Sequence, residues 1–144
     1  MKGSYLIECA SDMSQAWHKG QKYGEEDYFH SHITQVVFSV ANAGADTTHV
    51  VVAYLHDVVE DTEATLEDIE GFFGKEVADA VDAITKRPEE TRSDYLVRCM
   101  GNSIAKFVKL HDAWCNFNRS VKEGDQRRIR RYNLTIQKLL RGAI

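Results

Sequence analysis

Apolar residues along this chain recur mostly three or four positions apart, the spacing that lines one face of an α-helix, and a single proline, Pro88, interrupts them. The pattern predicts an all-α fold. A first helix is expected over residues 4–19, with Tyr5, Cys9, Met13, Ala16 and Trp17 on its inner side. Residues 20–27 are polar and read as a loop. Tyr28 and Phe29 lead into a second helix carrying Ile33, Val36, Val37 and Val40. Gly44 and Asp46 mark a turn, Thr47 or Thr48 is placed to cap, and a buried helix follows as far as Glu60. Thr65-Leu66-Glu67-Asp68 has the form of a capping box, with Asp for the usual Glu, and opens a short helix to Phe73. Beyond Gly74, helices are expected around Val77 to Ile84, over 94–100, from Ile104 past Phe117, and over 125–141.

A chain of 144 residues with 43% apolar content suits one domain with a sizeable core. No apolar run approaches the ~18 residues of a membrane span, and the N-terminus lacks the basic-then-apolar order of a secretory signal. A cytoplasmic protein is therefore expected. Cys9, Cys99 and Cys115 are odd in number and show no metal-type spacing, as reduced thiols would. Charge is uneven: residues 119–144 hold eight Lys or Arg against two acids, a net +6, which leaves −10 for the rest. Arg127, Arg128, Arg130 and Arg131 alternate with Ile129, Tyr132, Ile136 and Leu139, so this basic segment reads as the solvated face of an amphipathic helix rather than a nucleic-acid surface.

The chemistry concentrates in Leu55-His56-Asp57-Val58-Val59-Glu60-Asp61-Thr62. On a continuous helix His56 would lie beneath Glu60, and Asp57 beneath Asp61. An imidazole and three carboxylates ending an apolar helix are costly to bury without a cation or hydrogen-bonding partners. A bare His-Asp pair would read as an acidic helix end; the adjoining Glu60-Asp61 turns the reading towards a metal site. His30 and His32 both stand as further ligand candidates at the start of the second helix, the alternative being a histidine hydrogen-bonded at a helix end. Asp112 sits among Ala105, Val108, Leu110 and Phe117, with Asn116 one turn later, where an acid should be paired or ligating. Lys19, Lys22 and Tyr23 suit a phosphorylated ligand, although as a pattern they read first as loop surface.

Taken together, a histidine, then His56-Asp57, then the distant Asp112, all on helices, resemble the HD superfamily of metal-dependent phosphohydrolases. The closer resemblance is to the hydrolase domain of the RelA/SpoT alarmone enzymes and to the small alarmone hydrolases. It spans about residues 15–118 and rests on His18-Lys19-Gly20-Gln21, Tyr28-Phe29, the octet above, Phe73-Gly74, Glu76-Val77, Thr85-Lys86, and Lys109-Leu110 with Asp112 and Asn116. It implies a single helical HD domain that removes the 3′-diphosphate of (p)ppGpp, giving GDP or GTP and pyrophosphate. By the same resemblance His32, His56, Asp57 and Asp112 would hold a divalent ion, usually Mn²⁺ in this family. Glu60 and Asp61 would handle the attacking water, and Lys22, Tyr23 and Asn116 would face a nucleotide substrate.

Four departures stand out. The family's histidine three residues after the tyrosine, followed by proline, is Ser31 here, flanked by His30 and His32. His32 keeps the helix register that follows, which implies one inserted residue before it. The basic pair after Gly-Gln is Lys22-Tyr23, and the arginine after the last metal aspartate is Ala113. No synthetase or regulatory segment accompanies the domain, so hydrolysis is expected to be the whole activity. Rival readings are an HD phosphohydrolase for another nucleoside phosphate, a dNTP or NADPH, and a nucleotide-binding module without turnover.

Overall fold

The computed structural model describes residues 2–142. Its elements run α1 (Lys2–Trp17), β1 (Lys22–Tyr23), β2 (Glu26–Asp27), a π-helical turn (Phe29–Ile33), α2 (Thr34–Asn42), α3 (Thr47–Leu55), α4 (Val58–Asp61), α5 (Leu66–Phe73), α6 (Lys75–Ile84), α7 (Arg92–Met100), α8 (Ser103–Glu123) and α9 (Gln126–Arg141). The all-α expectation holds. Among the described residues no helix is long and apolar enough to cross a membrane.

Two helices organise the packing. The apolar α3 buries Val50, Val51, Val52, Ala53 and Leu55 against α1, α2, α6 and α8. The long α8 lies against α2, α3, α6, α7 and α9, and buries Ala105, Val108 and Ala113. Ile33, Val36, Val40, Val58, Ile69, Leu96 and Leu139 close the core, each such side chain contributing about 1.5–3 kcal/mol on burial. Asn102 caps α8 by accepting from Ile104 N and Ala105 N, and Gly124, at φ 69°, ends it in the left-handed region. The Thr65–Asp68 capping box opens α5 as its sequence predicts.

Four expectations need correction. α1 turns Ala10, Ser14 and His18 inward, with Tyr5 and Ala16 outside, because small residues let α1 lie close on α3. The polar segment 20–27 forms a minimal antiparallel hairpin, pairing Lys22 with Asp27 and Tyr23 with Glu26. Asp46 rather than a threonine caps α3, accepting from His49 N at 3.1 Å. The helix expected to continue to Glu60 stops at Leu55, and α4 restarts at Val58.

Candidate active site

The break between α3 and α4 positions the central pair. Asp57 adopts φ −109°, ψ −2°, in the sparsely allowed bridge region where many active-site residues sit. His56 closes the last turn of α3 by donating from Nδ1 to the Ala53 carbonyl at 2.7 Å. That bond leaves the lone pair on Nε2. Across the break Asp61 N still meets Asp57 O at 2.9 Å, yet the side chains diverge: Glu60 accepts from Lys86 N at 3.0 Å and Asp61 from Gln21 Nε2 at 3.1 Å. Stacking of His56 on Glu60 and Asp57 on Asp61 is thus replaced by bonds to other elements.

The first histidine is delivered by the π-helical turn. Thr34 N bonds to Phe29 O, five residues back, which is how a helix absorbs one extra residue. His32 is thereby buried, whereas His30 is turned out and paired with Asp27 at 2.7 Å. Asp112 comes from α8 and is buried. Ligand atoms of His32, His56, Asp57 and Asp112 all lie within 4.8 Å of one another. Asp112 Oδ1 is 2.8 Å from His32 Nε2 and 3.4 Å from His56 Nε2, and Asp57 Oδ2 is 3.2 Å from His56 Nε2.

These residues fit a divalent cation. Two imidazole nitrogens with two carboxylates make a donor set for Mn²⁺, Zn²⁺ or a related ion. His56 Nε2 is buried and has no hydrogen-bond partner among the described residues, so its lone pair points at anionic oxygens unless a cation or proton stands between them. Burial disfavours the imidazolium, but Asp57 and Asp112 outweigh it and raise the pKa of His56 well above normal. A metal ion would take the place of that proton. Outer partners hold the ligands in orientation: Tyr28 O–H donates to Asp57, Lys109 Nζ donates to Asp112 Oδ2 at 3.0 Å, and Asn116 Nδ2 to Asp112 Oδ1 at 3.2 Å.

The cluster floors a cavity of about 230 Å³, with Glu60 and Asp61 at its mouth. Solvent reaches both carboxylates, but surrounding protein partly desolvates them, and that crowding together with the Asp57 charge raises their pKa values. Lys86, Arg92, Lys109 and Arg131 bring positive charge from α6–α7, α8 and α9. Asn116 lines the cavity; Tyr23 touches it only through a bond from its hydroxyl to Asn116 Oδ1 at 2.8 Å. Lys22 stands exposed on the hairpin and does not line the cavity.

Sequence reasoning did not assign His18, Tyr28, Lys86, Arg92, Lys109 or Arg131. Lys109 carried a signal, lying three residues before Asp112 on one helical face. His18 is buried at the end of α1, with Nδ1 2.7 Å from Gln21 Oε1. The basic face of α9 is only partly solvated, since Arg131 lines the cavity and Arg128 reaches the Tyr23 hydroxyl.

Residues 10–140 match the family described as HD domain. The chain is 34% identical over 141 residues to a GTP pyrophosphokinase of Streptomyces coelicolor, covering 90% of this chain and 17% of that protein. To a probable guanosine-3′,5′-bis(diphosphate) 3′-pyrophosphohydrolase of Mycoplasma pneumoniae it is 34% identical over 87 residues, 60% of this chain and 12% of the other. The bifunctional (p)ppGpp synthase/hydrolase SpoT of Escherichia coli is 38% identical over 69 residues, 48% of this chain and 10% of that one. The chain thus spans less than a fifth of each of these relatives. A solved structure of a metazoan orthologue of SpoT, described as hydrolysing ppGpp, aligns with a TM-score of 0.77 at 24% identity over 96% of this chain and 86% of that one. Likeness at that identity speaks to the fold.

Proposed function

The chain belongs to the HD domain family, and from that premise we propose that it is a Mn²⁺-dependent phosphohydrolase that removes the 3′-diphosphate of (p)ppGpp. The observation that carries this reading is the convergence of four ligand atoms from His32, His56, Asp57 and Asp112 beneath a cavity ringed by Lys86, Arg92, Lys109 and Arg131. Such a floor suits a metal, and such a ring suits a polyanion. Support for the substrate comes from the Mycoplasma pneumoniae and Escherichia coli relatives, both named for ppGpp hydrolysis.

In the proposed reaction water attacks the phosphorus joined to ribose O3′, the P–O3′ bond breaks, pyrophosphate departs, and O3′ gains a proton, leaving GDP or GTP. A divalent ion at the four ligands supplies Lewis-acid polarisation of a phosphoryl oxygen and acidifies water. Glu60 and Asp61 accept the water's proton and return one to O3′; raised pKa values suit carboxyls to both tasks near neutral pH. The four basic residues offset phosphate charge, and Asn116 borders the nucleotide.

Pyrophosphate release from ppGpp by metal-stripped protein, with and without Mn²⁺ and with Asp57→Ala as control, tests the reading. Mn²⁺-dependent release that disappears in the variant is expected. Turnover of NADPH or a dNTP instead would keep the site and change the substrate; silence with every nucleotide would leave a binding module.

A further inference from the structure

Tyr23 is held at three points. The Arg119 guanidinium lies over its ring, 3.7 Å from the centroid. Arg128 Nη2 donates to its hydroxyl, and that hydroxyl donates to Asn116 Oδ1 at 2.8 Å. A residue on a two-residue strand next to Gly24, at φ 63°, has little backbone support of its own, so these side-chain contacts fix the ring.

The place where it is fixed separates two spaces. Tyr23 neighbours Tyr28, at 6.0 Å between ring centroids, and bonds Asn116, both of which line the 230 Å³ cavity above the His/Asp cluster. It equally neighbours His32, at 5.7 Å, and Arg119, both of which line a second cavity of about 460 Å³. That second space is neutral and polar in character, with Ser31, Gln35 and Asn118 in its wall. Ser31 Oγ is buried there without a hydrogen-bond partner among the described residues. The first cavity alone falls short of the roughly 300–1,000 Å³ of sites that enclose organic ligands. With the ring withdrawn the two together fall within that range, offering cations on one side and carboxamides and a hydroxyl on the other.

We infer that Tyr23 is the specificity-determining residue of this site: its ring is a retractable partition that admits phosphate groups alone when in place and a whole nucleotide when withdrawn. The inference rests on the phosphohydrolase reading above and deepens it. Withdrawal breaks contacts made only by side chains, Arg119 over the ring and the two hydroxyl bonds, while leaving the Arg119 bond to the Tyr23 carbonyl, at 2.9 Å, to keep the strand in place. A partition of this kind lowers the apparent affinity for the larger ligand by the fraction of open molecules and leaves the smaller one untaxed.

The test is equilibrium binding of GDP and of inorganic pyrophosphate to Mn²⁺-treated protein, wild type beside Tyr23→Ala, Tyr23→Phe and Tyr23→Trp. The readout is the ratio of the two affinities, which a general loss of structure moves little. Tyr23→Ala is expected to raise the GDP-to-pyrophosphate ratio about tenfold or more, since minor open states are populated at ~10% or below. Tyr23→Phe, which keeps the ring and loses its hydroxyl bonds, should give a smaller rise, and Tyr23→Trp none. A ratio that falls in Tyr23→Ala would make the ring a stacking platform for the base and overturn the partition while keeping the nucleotide site. An unchanged ratio across the series also overturns it. Failure of wild type and all variants to bind either ligand would remove the phosphohydrolase reading, and the partition with it.

Discussion

Arg98 holds Glu90 at two points, Nε to Oε2 and Nη2 to Oε1, each at 2.8 Å. The same guanidinium donates to the carbonyls of Asp82 and Thr85, both at 2.7 Å, so one side chain ties α7 to the end of α6 and to the loop beyond. That loop presents the Lys86 N–H on which Glu60 rests. A candidate catalytic carboxylate is therefore positioned by a pair that has no atom in the cavity.

The pair predicts a pH dependence of stability. The Arg98 bond, helped by Arg87 N–H, lowers the Glu90 carboxyl from 4.5 to about 2. A carboxyl depressed by folding adds stability above its unfolded value and loses it as pH falls through the folded one. Glu90→Gln should therefore be less stable than wild type above pH 4.5, with the gap closing towards pH 2. Denaturant unfolding at a series of pH values measures this; a constant gap would assign the loss to something other than the ion pair.

The two neighbouring histidines give a sharp contrast. His32 reaches Asp112 and His56, while His30 is 64% exposed and bonded to Asp27. His32→Ala is expected to abolish Mn²⁺ binding and His30→Ala to leave it unaltered, read by Mn²⁺ titration with electron paramagnetic resonance. The opposite result would mean that the π-helical turn has been assigned the wrong ligand.

Tyr28 tests the outer shell. Its hydroxyl donates to Asp57, and burial together with that carboxylate raises its own pKa far out of reach, so it stays a donor at every working pH. Tyr28→Phe should weaken Mn²⁺ binding about 10–100-fold, the usual cost of losing such a partner, with the thermal midpoint little changed. Undiminished affinity would reduce Tyr28 to a packing role.

How much of this was legible in the sequence depends on distance along the chain. The octet 55–62 is a local signal, and Asp112 stood out because its neighbours on α8 are apolar, so both could be read. His32 could be chosen only through the register after it; the π-helical turn then shows how one extra residue is absorbed. The stop after Leu55 was hidden because Val58 and Val59 continue the apolar pattern through it. Tyr23 read as loop surface because its partners, Asn116 and Arg128, are 93 and 105 residues away. The cationic ring was unreadable for the same reason, being gathered from three separated segments with no shared motif.

The last prediction concerns which carboxylate takes the proton. Gln21 links two buried groups: His18 meets its Oε1, and its Nε2 donates to Asp61 Oδ2. His18 is kept neutral, because burial lowers its pKa, so Nδ1 carries a proton for Gln21 Oε1 and fixes the amide with its N–H towards Asp61. Partial burial is the first cause of the raised Asp61 pKa, and it persists when a cation offsets the Asp57 charge; the Gln21 bond opposes it. A general base works deprotonated, so a raised pKa moves the acid limb of the kcat profile to higher pH. Gln21→Met removes the opposing bond and should move that limb higher still while lowering kcat; Asp61→Asn should cost about 10²–10⁴-fold. Steady-state kcat against pH at saturating Mn²⁺ is the measurement. If the limb stays in place in Gln21→Met while Glu60→Gln loses the larger part of kcat, the proton goes to Glu60, and the His18–Gln21 link serves the end of α1 rather than the reaction.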